Sequence, residues 1–217
     1  MKGHSSLYIH IPFCISKCAY CDFFSKPQGK KNNANDSSVI PDNYVSSLCN
    51  EILFRLNQNQ VIELNTIYIG GGTPSLLSKN QFEKIFDTIK SAVKLAPICE
   101  ITVEMNPDDV TKDLLEVLYS CGVNRISCGI QSMNDSALKK ACRRANASIN
   151  KYALKLLSEN WKGDISVDLI SGLPGDDEKT LLASLNEVCE LNPSHISLYS
   201  LTIEDETLFG KMFIREA

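Results

Sequence analysis

One pattern recurs along this chain. A short run in which apolar and polar residues alternate is followed by a longer stretch with apolar residues every three or four positions. Period two marks a strand with two unlike faces, and the 3-4-7 spacing marks an amphipathic helix. The alternating runs are Leu7–Ile11, Thr66–Ile69, Ile101–Glu104, Arg125–Ile130, Ile165–Leu169 and His195–Tyr199. Helical spacing fills the gaps with Val45, Leu48, Ile52 and Leu56, then with a segment from Ser78 to Ala92. It continues with Leu114, Leu115, Leu118 and Cys121, then Ile149, Ala153, Leu156 and Leu157, then Leu181, Leu182, Leu185, Val188 and Cys189. Strands alternating with helices predict an α/β fold built from βα units, with a parallel sheet of about six strands.

Each strand has an aliphatic face. Its members are Leu7, Ile9 and Ile11; Ile67 and Ile69; Ile101 and Val103; Ile126, Cys128 and Ile130; Ile165, Val167 and Leu169; Ile196 and Leu198. This face is expected to pack on the helices. The other face is polar or small, with Tyr8, His10, Tyr68, Thr102, Glu104, Ser127, Gly129, Gln131, Ser166, Asp168, His195, Ser197 and Tyr199. A closed eight-stranded barrel fills its interior with branched apolar side chains. A polar interior instead predicts an open, incomplete (β/α)6 barrel that holds a polar ligand. Chemistry in parallel α/β folds sits at the carboxyl ends of strands. The residues just after the first and second strands, with Glu104, Gln131 and Asp168, should therefore share one rim.

Composition narrows the class. The 217 residues, 43% hydrophobic, suffice for one sizeable core, so 1–217 reads as one domain. A formal net charge of −4 argues against a general nucleic-acid binder. No apolar run approaches the ~18 residues of a membrane span, and no signal-peptide core precedes the first strand. These features predict a soluble, cytoplasmic protein. Residues 26–43, rich in Lys, Asn, Ser, Gly and Pro, read as a flexible polar loop.

Three of the nine cysteines stand together in Cys14-Ile15-Ser16-Lys17-Cys18-Ala19-Tyr20-Cys21, directly after the first strand. Such a triplet can converge on one metal centre, whereas a full zinc or iron–sulfur site usually takes four protein ligands. A zinc site, or cysteines that merely pack, are the alternatives. Cys49, Cys99, Cys121, Cys128, Cys142 and Cys189 fall at helix and strand positions and read as buried packing residues.

Gly70-Gly71-Gly72-Thr73-Pro74-Ser75 allows close backbone approach to a ligand. It lacks the Lys-Ser/Thr ending of a P-loop, and a tight strand–helix turn is the plainer reading. Glu104 can accept from ribose hydroxyls or an ammonium group, or can serve only as a cap or ion-pair partner. Gln131 and Asp168 read likewise. Arg143 can clamp a carboxylate or lie exposed on a helix, with Arg144 leaving the register open. His10 and His195 read as satisfied buried histidines, and no second metal site is expected.

The C-x3-C-x2-C spacing resembles the radical S-adenosylmethionine (SAM) superfamily. That resemblance implies a [4Fe-4S] cluster on Cys14, Cys18 and Cys21, with one iron open to SAM, which is cleaved to methionine and a 5′-deoxyadenosyl radical. Further segments occur in order: Tyr8 to Cys14, Gly70 to Ser75, Glu104 to Pro107, Gly122 to Ser127, Gly129 to Ser132, Asp168 to Gly175 and His195 to Glu204. Together they resemble the oxygen-independent coproporphyrinogen III oxidases and their haem-chaperone relatives of the HemW type. By that resemblance Tyr8, Tyr20, Gly71, Gly72, Thr73, Glu104, Gln131, Arg143 and Asp168 contact SAM.

The oxidases carry a further cysteine two residues after the third, and here Phe23 holds that place. The Cys-Asp-Phe pattern is similar to the chaperone branch, which binds haem and delivers it to an acceptor protein. The alternative is oxidative decarboxylation of coproporphyrinogen III. Its four carboxylates would need several inward cations, and few are evident beyond Arg143 and Arg144. The resemblance also implies a reductant such as flavodoxin or ferredoxin. Family members continue into a C-terminal domain, so the chain ending at Ala217 is expected to lack it.

Overall fold

The structure, a computed structural model, describes residues 5–29 and 39–214. Six strands form one parallel sheet: β1 Ser6–Ile11, β2 Glu63–Gly71, β3 Lys94–Met105, β4 Arg125–Gln131, β5 Asp164–Ser171 and β6 His195–Ser200. Their spatial order equals their chain order, and every pairing is parallel. Crossovers between parallel neighbours share one hand. Sequential order therefore puts all the crossover helices on one face and leaves the other open.

The helices are α1 Asp42–Gln58, α2 Lys79–Ala92, α3 Lys112–Cys121, α4 Asp135–Lys140, α5 Ala147–Asn160, α6 Glu178–Glu190 and α7 Leu208–Ile214. Local chemistry starts them. Ser78 and Gln81 form a capping box on α2, and Asp177 and Thr180 one on α6. Thr111 and Asn146 cap α3 and α5. Along the covered face α1 packs on α2, α2 on α3 and α3 on α5. The main core lies between these helices and Ile9, Ile11, Ile67, Ile69, Ile101, Val103, Ile126, Cys128, Ile130, Val167 and Leu169. The period-two assignment of the faces holds from β1 to β5.

Three expectations need correction. Leu198 is 50% exposed rather than packed: of the β6 residues only Ile196 packs against the main core. On the same strand His195 is exposed. Cys142 and Cys189 are exposed, while Cys49, Cys99, Cys121 and Cys128 are buried. Val188 takes the inward position on α6, which turns Cys189 outward by one helical step of about 100°. Cys142 lies in the turn after α4 with φ 55°.

The 26–43 stretch is ordered where it is described. The Lys26 and Gln28 amides donate to the carbonyls of Pro12 and Cys14, both at 2.8 Å, and Lys26–Pro27 pairs beside Phe13–Cys14. Its other end enters α1 through the buried Ile40. The rest of the stretch expected to be a flexible loop, residues 30–38, lies outside the described residues, as does the N-terminus up to residue 4.

A second small cluster fixes the cysteine loop. Ala19 is buried with Ala137, Ala141, Ile170, Leu173 and Phe209. Its amide donates to Ala141 O at 3.0 Å, and its carbonyl accepts from the Phe209 amide at 2.9 Å. The loop between Cys14 and Cys21 is thus held by α4 on one side and α7 on the other. Among the described residues no helix is long and apolar enough to cross a membrane.

Candidate functional site

The carboxyl ends of the strands and the cysteine loop enclose a cavity of about 460 Å³. Cys14, Cys18, Tyr20 and Cys21 line it together with Gly71, Gly72, Thr73, Glu104, Gln131, Arg143 and Asp168. Residues from six chain segments thus meet on one rim, as expected of strand ends. Tyr8 is the exception. It is 58% exposed at the β1 edge and stacks on Tyr68 with ring centroids 6.0 Å apart.

The glycines at the end of β2 each face a different neighbour. Gly71 has φ +115°, and a Cβ there would lie 2.7 Å from the His10 ring. A Cβ on Gly72 would lie 2.7 Å from Phe13 O and 2.9 Å from Cys14 Sγ. The glycine turn can therefore pass directly under the cysteine loop. His10 is satisfied as expected but is half-buried rather than buried: Nδ1 pairs with the Tyr8 hydroxyl at 3.0 Å and Nε2 with Phe24 O at 2.8 Å. It ties β1 to the arm of the loop that follows Cys21.

Glu104 is fixed at both oxygens. The Tyr68 hydroxyl donates to Oε1 at 2.7 Å and the Gly71 amide to Oε2 at 3.1 Å. Burial pushes its carboxyl above the usual range, against the pull of those two donors. Asp168, which adds to that upward push, accepts from Ser127 Oγ at 2.9 Å.

Arg143 and Arg144 both point inward. Arg143 Nη2 donates to Asn106 Oδ1 at 2.8 Å and to Gly129 O at 2.6 Å, and Nη1 to Cys18 Sγ at 3.4 Å. Arg144 pairs with Asp108 at 3.0 Å and Asp109 at 2.8 Å, and Ser75 donates to Asp109 at 2.7 Å. The Cys142 turn aims both guanidinium groups into the rim. Sequence reading did not single out Tyr68, Asn106, Ser127 or the Asp108–Asp109 pair as site residues. Their partners lie 34 to 41 positions away, so no local pattern announces them.

Three observations bear on what the cavity holds. Gln131, with φ 66° in a region that non-glycine residues rarely visit, has a buried Oε1 without a partner among the described residues. The glycine turn forms a cradle that any Cβ would fill. The three cysteines line one wall, and the burial-raised Cys21 thiol is pulled down by the Phe23 amide and feels Cys18 and Cys14. Among the described residues no three His, Cys, Asp or Glu side chains close on a point that would hold a single metal ion. Thiolates at the corners of a four-iron cube stand farther apart than the ligands of one ion. The donor set, the cradle and the orphan acceptor fit a cluster with a polar cofactor beside it.

Comparison with known proteins agrees with this geometry. The radical SAM superfamily model matches residues 8–188. Heme chaperone HemW of Escherichia coli is 42% identical over 205 residues, spanning 94% of this chain and 52% of that protein. Heme chaperone HemW of Haemophilus influenzae is 38% identical over 209 residues, spanning 94% and 53%. Among solved structures, coproporphyrinogen III oxidase HemN of E. coli, a radical SAM enzyme, superposes with a TM-score of 0.83 at 25% identity, over 97% of this chain and 48% of that one. The chain thus spans about half the length of the curated relatives it matches. With the family signature running from Tyr8 through Val188 and the open six-stranded barrel beneath it, this chain belongs to the radical SAM superfamily.

Proposed function

We propose that this chain is the cofactor-binding core of a haem chaperone of the HemW type. The observation that carries the reading is the 42% identity to a heme chaperone over nearly the whole chain, against 25% to the oxidase HemN. In this reading Cys14, Cys18 and Cys21 hold a [4Fe-4S] cluster. SAM lies on the Gly71–Thr73 turn within reach of Glu104, Gln131, Arg143 and Asp168, with Tyr20 beside the cysteines and Tyr8 at the rim. When bound, the cluster and SAM supply one-electron chemistry, with the electron drawn from a flavodoxin- or ferredoxin-type donor.

The chain's own residues do the rest. Glu104 offers its remaining lone pairs to ribose hydroxyls or to the ammonium group, and Tyr68 keeps its rotamer fixed. Ser127 orients Asp168. Phe23, Ile170, Tyr199 and Leu201 form the apolar outer wall, suited to a planar macrocycle. Haem is the expected cargo, and a haem-acceptor protein the expected partner. A reducing cytoplasmic setting suits the nine free cysteines.

The second reading is coproporphyrinogen oxidation, favoured by the structural likeness to HemN. Two features weigh against it. Phe23, where the oxidases carry a cysteine, is 68% exposed at the cavity mouth. The cavity wall also carries Lys17, Arg143 and Arg144 against Asp22, Glu104, Asp168 and Glu204, and Arg144 is already paired with Asp108 and Asp109. A tetracarboxylate would meet more repulsion than attraction there.

The test uses the full-length protein, for which haem binding is expected, reconstituted anaerobically with iron and sulfide. Incubated with dithionite, SAM and coproporphyrinogen III it yields no protoporphyrinogen, while titration with haem gives a saturable Soret band. Catalytic formation of the vinyl product would establish the oxidase reading. SAM binding with neither product nor a Soret band would contradict the chaperone reading.

A further inference from the structure

Two of the three clustered sulfurs are joined by one hydrogen-bonded bridge. The Thr73 hydroxyl donates to Cys14 Sγ at 3.4 Å. The same oxygen accepts from Asn106 Nδ2 at 3.2 Å. Asn106 Oδ1 accepts from Arg143 Nη2 at 2.8 Å, and Arg143 Nη1 donates to Cys18 Sγ at 3.4 Å. Every link has a defined direction. A guanidinium can only donate, which fixes the Asn106 amide with its oxygen toward Arg143 and its NH2 toward Thr73. That in turn leaves the Thr73 proton for Cys14. Thr73 is buried, 3% exposed, so water does not compete for the bond. Bonds chained in this way polarise one another, and the Arg143 charge is passed through one amide toward a sulfur on the far side of the triad.

We infer that Asn106 is a positioning residue that aims the Thr73 and Arg143 donors at the Cys14 and Cys18 sulfurs, and that this bridge raises the reduction potential of the cluster those cysteines hold. The inference rests on the three-cysteine reading above. The physical reason is charge. One-electron reduction by an external donor adds negative charge to the cluster and its thiolates. A donor on sulfur therefore stabilises the reduced form more than the oxidised one, and hydrogen bonds to sulfur are among the determinants of such potentials. A hydrogen bond to a charged group is worth enough to move an equilibrium constant by about tenfold. For a one-electron couple tenfold corresponds to about 59 mV. Asn106 touches neither sulfur directly, so its effect travels through the two residues that do.

The experiment is a redox titration of the anaerobically reconstituted full chain without SAM, followed by EPR, after iron and sulfide have been measured. Thr73→Val keeps the side-chain shape and removes the donor. With the iron content unchanged, its reduction equilibrium constant falls about tenfold. Thr73→Ser, which restores the hydroxyl, stays within about twofold of the unsubstituted protein. Asn106→Ala falls at least as far as Thr73→Val. The double variant falls by less than the sum of the two, because both act on the same bond. Unchanged potentials in Thr73→Val and Asn106→Ala with full clusters would overturn the inference while leaving the three-cysteine reading standing. If Asn106→Ala takes up no iron, the Thr73→Val and Thr73→Ser pair decides. Failure of the unsubstituted chain to take up a cluster overturns the three-cysteine reading, and the inference with it.

Discussion

Replacing Cys18 by serine will leave the protein unable to hold a four-iron cluster. Iron per chain after anaerobic reconstitution will fall well below four, and the broad visible absorbance will disappear. Thiolate is the form that binds metal, and a serine hydroxyl is not ionised at neutral pH. No neighbour can stand in for it. Cys142 and Cys189 are exposed and absent from the cavity wall, and Cys49, Cys99, Cys121 and Cys128 are buried away from it. The loop is also pinned at Ala19 from two sides, so it cannot slide to present another residue. Cys142→Ser and Cys189→Ser provide the matched controls and keep their full iron. A full complement of iron in Cys18→Ser would remove Cys18 from the ligand set.

The second large effect is expected at Glu104. Glu104→Gln will weaken SAM binding about 10- to 100-fold, or about 1.5–3 kcal/mol, the range for a hydrogen bond to a charged group, while the cluster stays intact. Glutamine has nearly the shape of glutamate but carries one acceptor oxygen in place of two. With its oxygen on the Gly71 amide and its NH2 toward the Tyr68 hydroxyl, which can turn to accept, the glutamine keeps both neighbours but offers SAM neither the negative charge nor the second acceptor oxygen. Burial raises the Glu104 pKa, and the sign of the pH dependence follows. The carboxylate is the accepting form, so SAM affinity is full above the raised pKa and is lost as pH falls through it. That loss begins at higher pH than for an ordinary glutamate, and the Gln variant lacks it. Calorimetric SAM binding measured across pH on both proteins checks this. Equal affinities, or the same acid limb in both, would take Glu104 out of the site.

The strands were legible because each carries two unlike faces, one on the helices and one on the cavity. An Ile-x-Ile run such as Ile67–Ile69 announces both its type and its orientation. The same pattern could not reveal which aliphatic face lies beyond the main core, and for that reason Leu198 looked as buried as Leu169. The six residues of α4 and the seven of α7 are too few to show a helical period. Cysteine spacing and the triple glycine were visible because loop chemistry is local in sequence. The supporting side chains were not. Tyr68 meets Glu104 across neighbouring strands, and Asn106 joins Thr73 to Arg143 only once the strand ends have been brought to one rim. Arg143 and Arg144 stayed ambiguous until the left-handed turn at Cys142 set their directions.

A cluster held by three cysteines with one corner open to SAM is the feature on which the site depends. The most direct test is EPR of the anaerobically reconstituted, dithionite-reduced chain before and after SAM is added, together with iron and sulfide analysis. About four irons and four sulfides per chain are expected, with a reduced-cluster signal whose g-values move on SAM addition. A colourless protein that binds zinc without sulfide, or a cluster signal indifferent to saturating SAM, would contradict this arrangement.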